Sequence, residues 1–490
     1  MKANESVWKK VYIIGLVEIA VMLFTMVNGK VIWFDEAFSL QLAKLSVSDV
    51  IKYTASDVHP PLYYLILRAF VKGFGESIVL CHIVSIIPFI AMLIVVGYLF
   101  ARKFSYKEAF IAVIVVAGAP NVMSFALEIR MYSMAMLTVL LSFLTAYAIV
   151  ESGTGTKKQW ILFAVANAVA AYLHYFAGAA VIVISIITIC MLLIFCVDRK
   201  DNFVWWIISS VVTVVLYLPW LFVFFRQLSD VRADYWIPPF SFSDINNYLE
   251  FSLGQQQIIK KPLMAVMLVT VIVCIFLIKK NNENVRLIIM SLATYAGFIL
   301  LGIGLSIAIT PVFVERYISV VLVFLWIGVM ATFFSLDKTY IRTIMFIAGE
   351  ILLITSFIAE DHHRTSDENI TVYNVLAEEM HEGDAIVNTS AHTLGQMVYF
   401  FPEEKEYIKA DVISSEAFQD WDEVSNTVYI SDFSEIQDET LWVLCYNTED
   451  AVTDELKACG YNIQDMGTNT LGYDGWRNDY MEIGLYKCSK

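Results

Sequence analysis

The stretch ESIVLCHIVSIIPFIAMLIVVGYLF (76–100) carries one charged side chain, Glu76, at its first position. At about 1.5 Å per residue, a helix over this stretch is longer than the roughly 30 Å hydrocarbon core of a bilayer. Comparable apolar runs lie near 11–28, 109–126, 130–150, 159–173, 176–197, 203–224, 262–278, 286–309, 317–335 and 340–359. The pattern predicts an α-helical polytopic membrane protein of about eleven spans. The break between the two spans around His174 is only a few residues long. Across all 490 residues, 58% are hydrophobic and 17% charged, against about 45–50% apolar and about 25% charged in soluble domains. This excludes a soluble globular protein and a disordered chain.

Charge divides the chain. Residues 361–490 hold 27 acidic and 7 basic side chains, a net of −20, whereas 1–360 carry a net of +5. The reading is a membrane domain over 1–360 and a water-soluble acidic domain over 361–490. A net charge of −15 lacks the basic footprint that nucleic-acid binding requires. In 361–490, short strands and helices alternate, which predicts a small α/β domain. The expected helices are 369–380, 393–400 and 451–459. The expected strands are 384–388, 427–431, 441–446 and 485–488. The seven Cys show no metal-ligand spacing, and the three in the soluble part (Cys445, Cys459 and Cys488) give no firm disulfide.

Basic residues set the orientation. Arg102, Lys103 and Lys107; Lys157 and Lys158; Arg199 and Lys200; Lys279, Lys280 and Arg286; and Lys338 and Arg342 recur in alternate connections. These connections and the N-terminus are expected in the cytoplasm. With eleven spans, the C-terminal domain is then extracytoplasmic. The parity requires that 61–73, with Arg68 and Lys72, does not cross the membrane, so this segment reads as an interfacial or re-entrant helix. Two connections on the outer face are long, 29–61 and 226–261. The first contains an amphipathic stretch, 37–45, and a capping box of Ser46 and Asp49 opening a short helix. The second holds Arg232, Asp234, Tyr235, Trp236 and the Pro238–Pro239 turn. Loops of this length in a compact protein are usually functional or disordered, and the aromatic and apolar content of these two favours function.

The residues capable of chemistry lie on that same face. Asp35 and Glu36 follow Trp33 and Phe34 just beyond the first span. There, partial desolvation suits a general base or a cation ligand; the alternative is a solvated pair beside an aromatic belt. His59 precedes Pro60 and Pro61, which hold it on a stiff extended backbone, unless the prolines merely end a loop. Glu128, Arg130 and Tyr132 share the next turn, and Glu315, Arg316 and Tyr317 open a late span. Either arginine could grip a phosphate bidentately or form a structural pair with its neighbouring glutamate. His174 lies on the same face, where a satisfied structural histidine is the rival reading.

This order of elements resembles the polytopic GT-C glycosyltransferases, in the branch of protein O-mannosyltransferases and lipid A aminoarabinose transferases. It runs from the acidic pair through His-Pro-Pro-Leu-Tyr-Tyr (59–64) and Glu-x-Arg-x-Tyr (128–132) to the late Arg-Tyr (316–317). The resemblance implies transfer of a sugar from a polyprenyl-phosphate carrier to an extracytoplasmic lipid, glycan or protein acceptor in the cell envelope, usually with inversion. It places Asp35 at the catalytic acidic position with Glu36 beside it, and Glu128 at a second acidic position. Arg130 and Arg316 fall at positions suited to the carrier phosphate. Asp35 and Glu128 are the candidates to hold a divalent cation. A Glu rather than an Asp at 128 leaves metal dependence open. The alternatives are a transporter or flippase, for which internal repeats are expected and none is seen, and a cell-surface polysaccharide polymerase.

Overall fold

The computed structural model describes residues 2–27, 32–195, 199–233, 237–413, 421–423, 425–446, 449–474 and 479–490. Asp234, Tyr235 and Trp236 lie outside these residues. The chain is largely helical and polytopic, with a small mixed β-sheet domain at its C-terminal end. Among the described residues, eight helices are long and apolar enough to cross a membrane. The other three expected spans also form helices, Lys2–Met26, Tyr106–Gly118 and Lys157–Leu173.

The chain clusters into two compact units. The first comprises Met1–Thr25, His59–Tyr63 and His82–Ile358. Its centre is the helix Ser319–Phe334, which packs against Tyr106–Gly118, Tyr132–Ser152, Gln257–Lys279 and Val285–Ala308. Apart from Ser319 and Thr332 its side chains are apolar all round, as expected of a helix buried on every side. By contrast, Arg199–Ala233 and Gln257–Lys279 leave Val211, Val215, Phe222, Leu268 and Ile272 exposed, surfaces suited to lipid tails rather than water. Basic residues at helix ends tie neighbours together. Arg342 pairs with the buried Glu108, and Arg286 donates to the carbonyls of Val150 and Glu151 at 3.3 Å.

The expected span 109–126 is broken. Tyr106–Gly118 ends before Pro120, and a short helix, Val122–Leu127, begins after Asn121, whose φ is +60°. Proline drives its predecessor out of the α region, and Ala119 is accordingly extended, with ψ 142°. The expected connection 226–261 also contains more helix than loop. Arg199–Ala233 runs on into it, and Asp244–Leu253 folds inside it.

The second unit comprises Met26–Val58, Tyr64–Cys81 and Ala359–Lys490. Its sheet has six strands: β1 (Ala385–Asn388), β2 (Lys405–Lys409), β3 (Thr427–Ile430), β4 (Thr440–Cys445), β5 (Asn462–Asp474) and β6 (Asp479–Ser489). The order is β3-β2-β1-β4-β6-β5. The first four strands run parallel, while β6 is antiparallel to both β4 and β5. Every residue of β1 is buried, as a strand covered on both faces should be. One face packs Val387, Tyr407, Val443 and Leu456, and the other packs Ile386, Met397, Trp442 and Leu485. Each such side chain contributes about 1.5–3 kcal/mol by leaving water. Cys445, Cys459 and Cys488 form no disulfide.

Two helices of the first long connection also belong to this unit, with most of the helix that follows it. Phe34–Lys44 covers the amphipathic stretch. Val47–Ser56 starts at Ser46, whose hydroxyl accepts from the Asp49 amide at 3.2 Å. Leu62–Phe74 follows the two prolines, and most of it falls in this unit.

Candidate functional site

In the first unit, residues far apart in sequence converge. The turn Glu128–Met131 lies between the helices Val122–Leu127 and Tyr132–Ser152. It is braced from Ile78–Lys103, where His82 bonds the Leu127 carbonyl and the Ser85 hydroxyl donates to the Glu128 carbonyl. Ser133 donates to the Phe125 carbonyl at 3.1 Å. So anchored, Arg130 is 1% exposed and Glu128 5%. Arg130 Nη2 lies 3.2 Å from His59 Nε2.

His174 sits at the break between Lys157–Leu173 and Tyr175–Phe195, in extended conformation (φ −158°, ψ 137°). Its amide still bonds the Ala170 carbonyl, so it ends one helix while its own carbonyl accepts from Gly178 in the next. The ring is packed by His59 at 6.2 Å, Tyr132 at 5.6 Å and Tyr317 at 5.1 Å between centroids. The Phe176 amide donates to its Nδ1 at 3.2 Å, so the neutral ring carries its proton on Nε2. Burial pushes His174 well below the usual histidine range, and the neighbouring His59, Arg316 and Arg130 add to that shift. The imidazole is therefore neutral and a hydrogen-bond donor.

Arg316 and Tyr317 lie in a single 3₁₀ turn, Glu315–Ile318, that leads into the central helix. Both are buried. The Arg316 guanidinium lies 5.6 Å from the Tyr317 ring centroid, and Tyr317 stacks on Phe176 at 4.5 Å. Thus His59, Arg130, Tyr132, His174, Arg316 and Tyr317 form one buried group. It has two guanidinium groups and a neutral imidazole at its centre, with Glu128 on the same turn. Such a set can bind an oxyanion and stabilise charge growing on it.

Asp35 and Glu36 belong to the second unit. Glu36 is 1% exposed, and its carboxylate reaches back to accept from the Trp33 amide at 3.2 Å. It therefore caps the helix Phe34–Lys44 from its third position. Asp35 is half-buried, and its carbonyl accepts from the Ser39 hydroxyl at 2.8 Å. The pair is chemically divided: Glu36 holds the helix start, and Asp35 stands one residue before it. Among the described residues, no group of three or more His, Cys, Asp or Glu is arranged to hold a metal ion.

The braces His82 and Ser85 escaped the reading of the sequence. Their signal was present, as polar residues three apart in a strongly apolar span, and such residues usually face the interior of a helical bundle.

No protein-family model matches the chain, and no curated protein matches it in sequence. Among solved structures, it is similar to ArnT from Cupriavidus metallidurans in the apo state, with a TM-score of 0.61 at 11% identity over 98% of each chain. It is also similar to the same protein bound to undecaprenyl phosphate, with a TM-score of 0.59 at 11% identity over 97% of this chain and 98% of the other. The chain therefore shares the fold of this ArnT over 98% of its length.

Proposed function

We propose that the protein is a membrane glycosyltransferase that moves a sugar from a polyprenyl-phosphate carrier to an acceptor outside the cytoplasm. In this reading the C-terminal domain is extracytoplasmic and the N-terminus cytoplasmic. The observation that carries the proposal is the burial of Arg130 and Arg316 around the neutral His174. Two guanidinium forks facing one neutral imidazole suit the oxygens of a carrier phosphate. Undecaprenyl phosphate bound by the ArnT of like fold supports the choice of carrier.

The chemistry is a single displacement. The acceptor hydroxyl oxygen attacks the anomeric carbon, and the bond from that carbon to the carrier phosphate oxygen breaks. Its electron pair leaves on the phosphate, where Arg130, Arg316 and the His174 Nε2 proton stabilise the charge. Asp35 takes the proton of the attacking hydroxyl. The anomeric configuration inverts, because attack and departure occur on opposite faces. A transporter would need no such base.

The test is purified protein supplied with a labelled polyprenyl-phosphate sugar and a membrane or envelope extract as acceptor source. Release of carrier phosphate coupled to label transfer supports the reading. Arg130→Gln and Arg316→Gln should each raise the donor KM. Unchanged donor binding and kinetics in both variants would remove the arginines from the site.

A further inference from the structure

We propose that the C-terminal domain positions the acidic helix Phe34–Lys44, with Gln396 and Gly395 as the positioning residues. This rests on the reading of Asp35 as the base.

In parallel sheets, ligands settle at the carboxyl ends of the strands where the strand order reverses. Here β1 is flanked by β2 on one side and β4 on the other, so the reversal lies between β1 and β4. Their ends are tied by Thr389, whose hydroxyl donates to the Leu444 carbonyl and accepts from the Tyr446 amide, both at 2.9 Å. The helix Ala391–Phe400 starts there, capped by Ser390. The group that this helix receives is the protein's own segment Ile32–Phe34.

Three contacts define the grip. Gln396 Nε2 donates to the Ile32 carbonyl at 2.8 Å, with Gln396 1% and Ile32 0% exposed. The Phe34 ring packs on His392 at 4.5 Å. At Gly395, an added Cβ would lie 2.9 Å from Phe34 Cδ2 and 3.2 Å from the Trp421 ring, so the absence of a side chain is what lets Phe34 lie against this helix. A further tie joins the next helix, where the Tyr53 hydroxyl bonds the Glu423 carboxylate.

These contacts fall at 32 and 34, directly before Asp35, while Glu36 is occupied with the Trp33 amide. Asp35 is therefore bracketed by a clamp on one side and a cap on the other. Gln396 is 364 residues away in the chain, and nothing in its helix points to chemistry of its own. Its role is to fix where the carboxylate stands.

The experiment uses the full chain in nanodiscs and compares Gln396→Leu, Gly395→Ala and the pair Gly395→Ala with Phe34→Leu. Amide exchange over 33–44 should accelerate about tenfold in the two single variants, with β1, β4 and the helix Asp244–Leu253 unchanged. Turnover should fall roughly 10- to 100-fold with donor KM within twofold, because small displacements of a catalytic group cost about this much. Phe34→Leu should restore part of the turnover lost in Gly395→Ala. Unchanged exchange and turnover in both single variants, in a protein that Asp35→Asn inactivates, would overturn the positioning role alone. Accelerated exchange throughout the sheet would also overturn it, since Gln396 would then merely support the domain. Full activity of Asp35→Asn would overturn the base assignment, whereas the exchange result would still report the clamp.

Discussion

The Arg130 guanidinium donates to Nε2 of His59 across 3.2 Å, with both side chains buried. A guanidinium has no acceptor, so the imidazole must accept, and its proton sits on Nδ1. His59 thus orients Arg130 from a backbone stiffened by Pro60 and Pro61. A hydrogen bond to a charged group contributes about 1.5–3 kcal/mol, or roughly 10- to 100-fold in a binding constant. His59→Leu should weaken donor binding by that order. In a double-mutant cycle with Arg130→Gln the two effects should be strongly non-additive. Simple additivity in the measured donor affinities would mean that His59 does not act through Arg130.

His174 provides a pH signature. Its folded value lies well below the ordinary 6.5, so the unfolded chain binds a proton that the folded one refuses. Its share of stability is fully present above pH 6.5 and is lost as pH falls below it. Thermal denaturation of the wild type should therefore shift to lower temperature between pH 7 and 5. His174→Gln should flatten that slope, even if it is less stable overall at pH 7. Parallel curves for the two proteins would show that His174 is not the buried neutral group responsible.

The helices and the members of the buried group were legible for different reasons. Apolar runs dictate spanning helices directly, and a capping residue such as Ser46 marks a start within one position. Arg130 and Arg316 stood out because charge at the mouth of a span is costly. Two strands were illegible. In β2, Lys405, Glu406 and Lys409 read as a polar loop, yet Glu406 is 1% exposed. In β5, Gly467 and Gly472 interrupt the alternation, and the pairing with β6 shifts register near both. The grip of Gln396 on Ile32 was illegible too, because pairing across 364 residues is set by the tertiary fold and leaves no local pattern.

Glu406 gives the opposite sign of pH dependence. Burial between strands pushes its carboxyl well above the ordinary 4.5, against the lowering effect of Asn388, which lies 2.7 Å away. The folded state holds a proton that the unfolded state releases, so this contribution is present below pH 4.5 and is lost as pH rises. Glu406→Gln keeps the shape and a polar partner for Asn388 but cannot ionise. It should raise the melting temperature at pH 8 by several degrees and change it little at pH 4. An equal shift at both pH values would show that Glu406 is not protonated in the fold.

Asp35 carries the decisive prediction for the chemistry. Its neighbour Glu36 is committed to the Trp33 amide, so the two carboxylates should not be interchangeable. Asp35→Asn keeps the volume and removes the basicity, and loss of a general base costs roughly 10²–10⁴-fold in turnover. Donor binding should survive, because the carrier phosphate is assigned to Arg130 and Arg316. Glu36→Gln can still accept from the Trp33 amide and should be the milder change, seen as faster amide exchange at the helix start. If Asp35 instead held a divalent cation, activity would require added metal, and weakened variants would recover at high metal concentration. Transfer and donor binding measured together on Asp35→Asn separate these outcomes. Near wild-type transfer by folded Asp35→Asn protein would sink the assignment of Asp35 as the base.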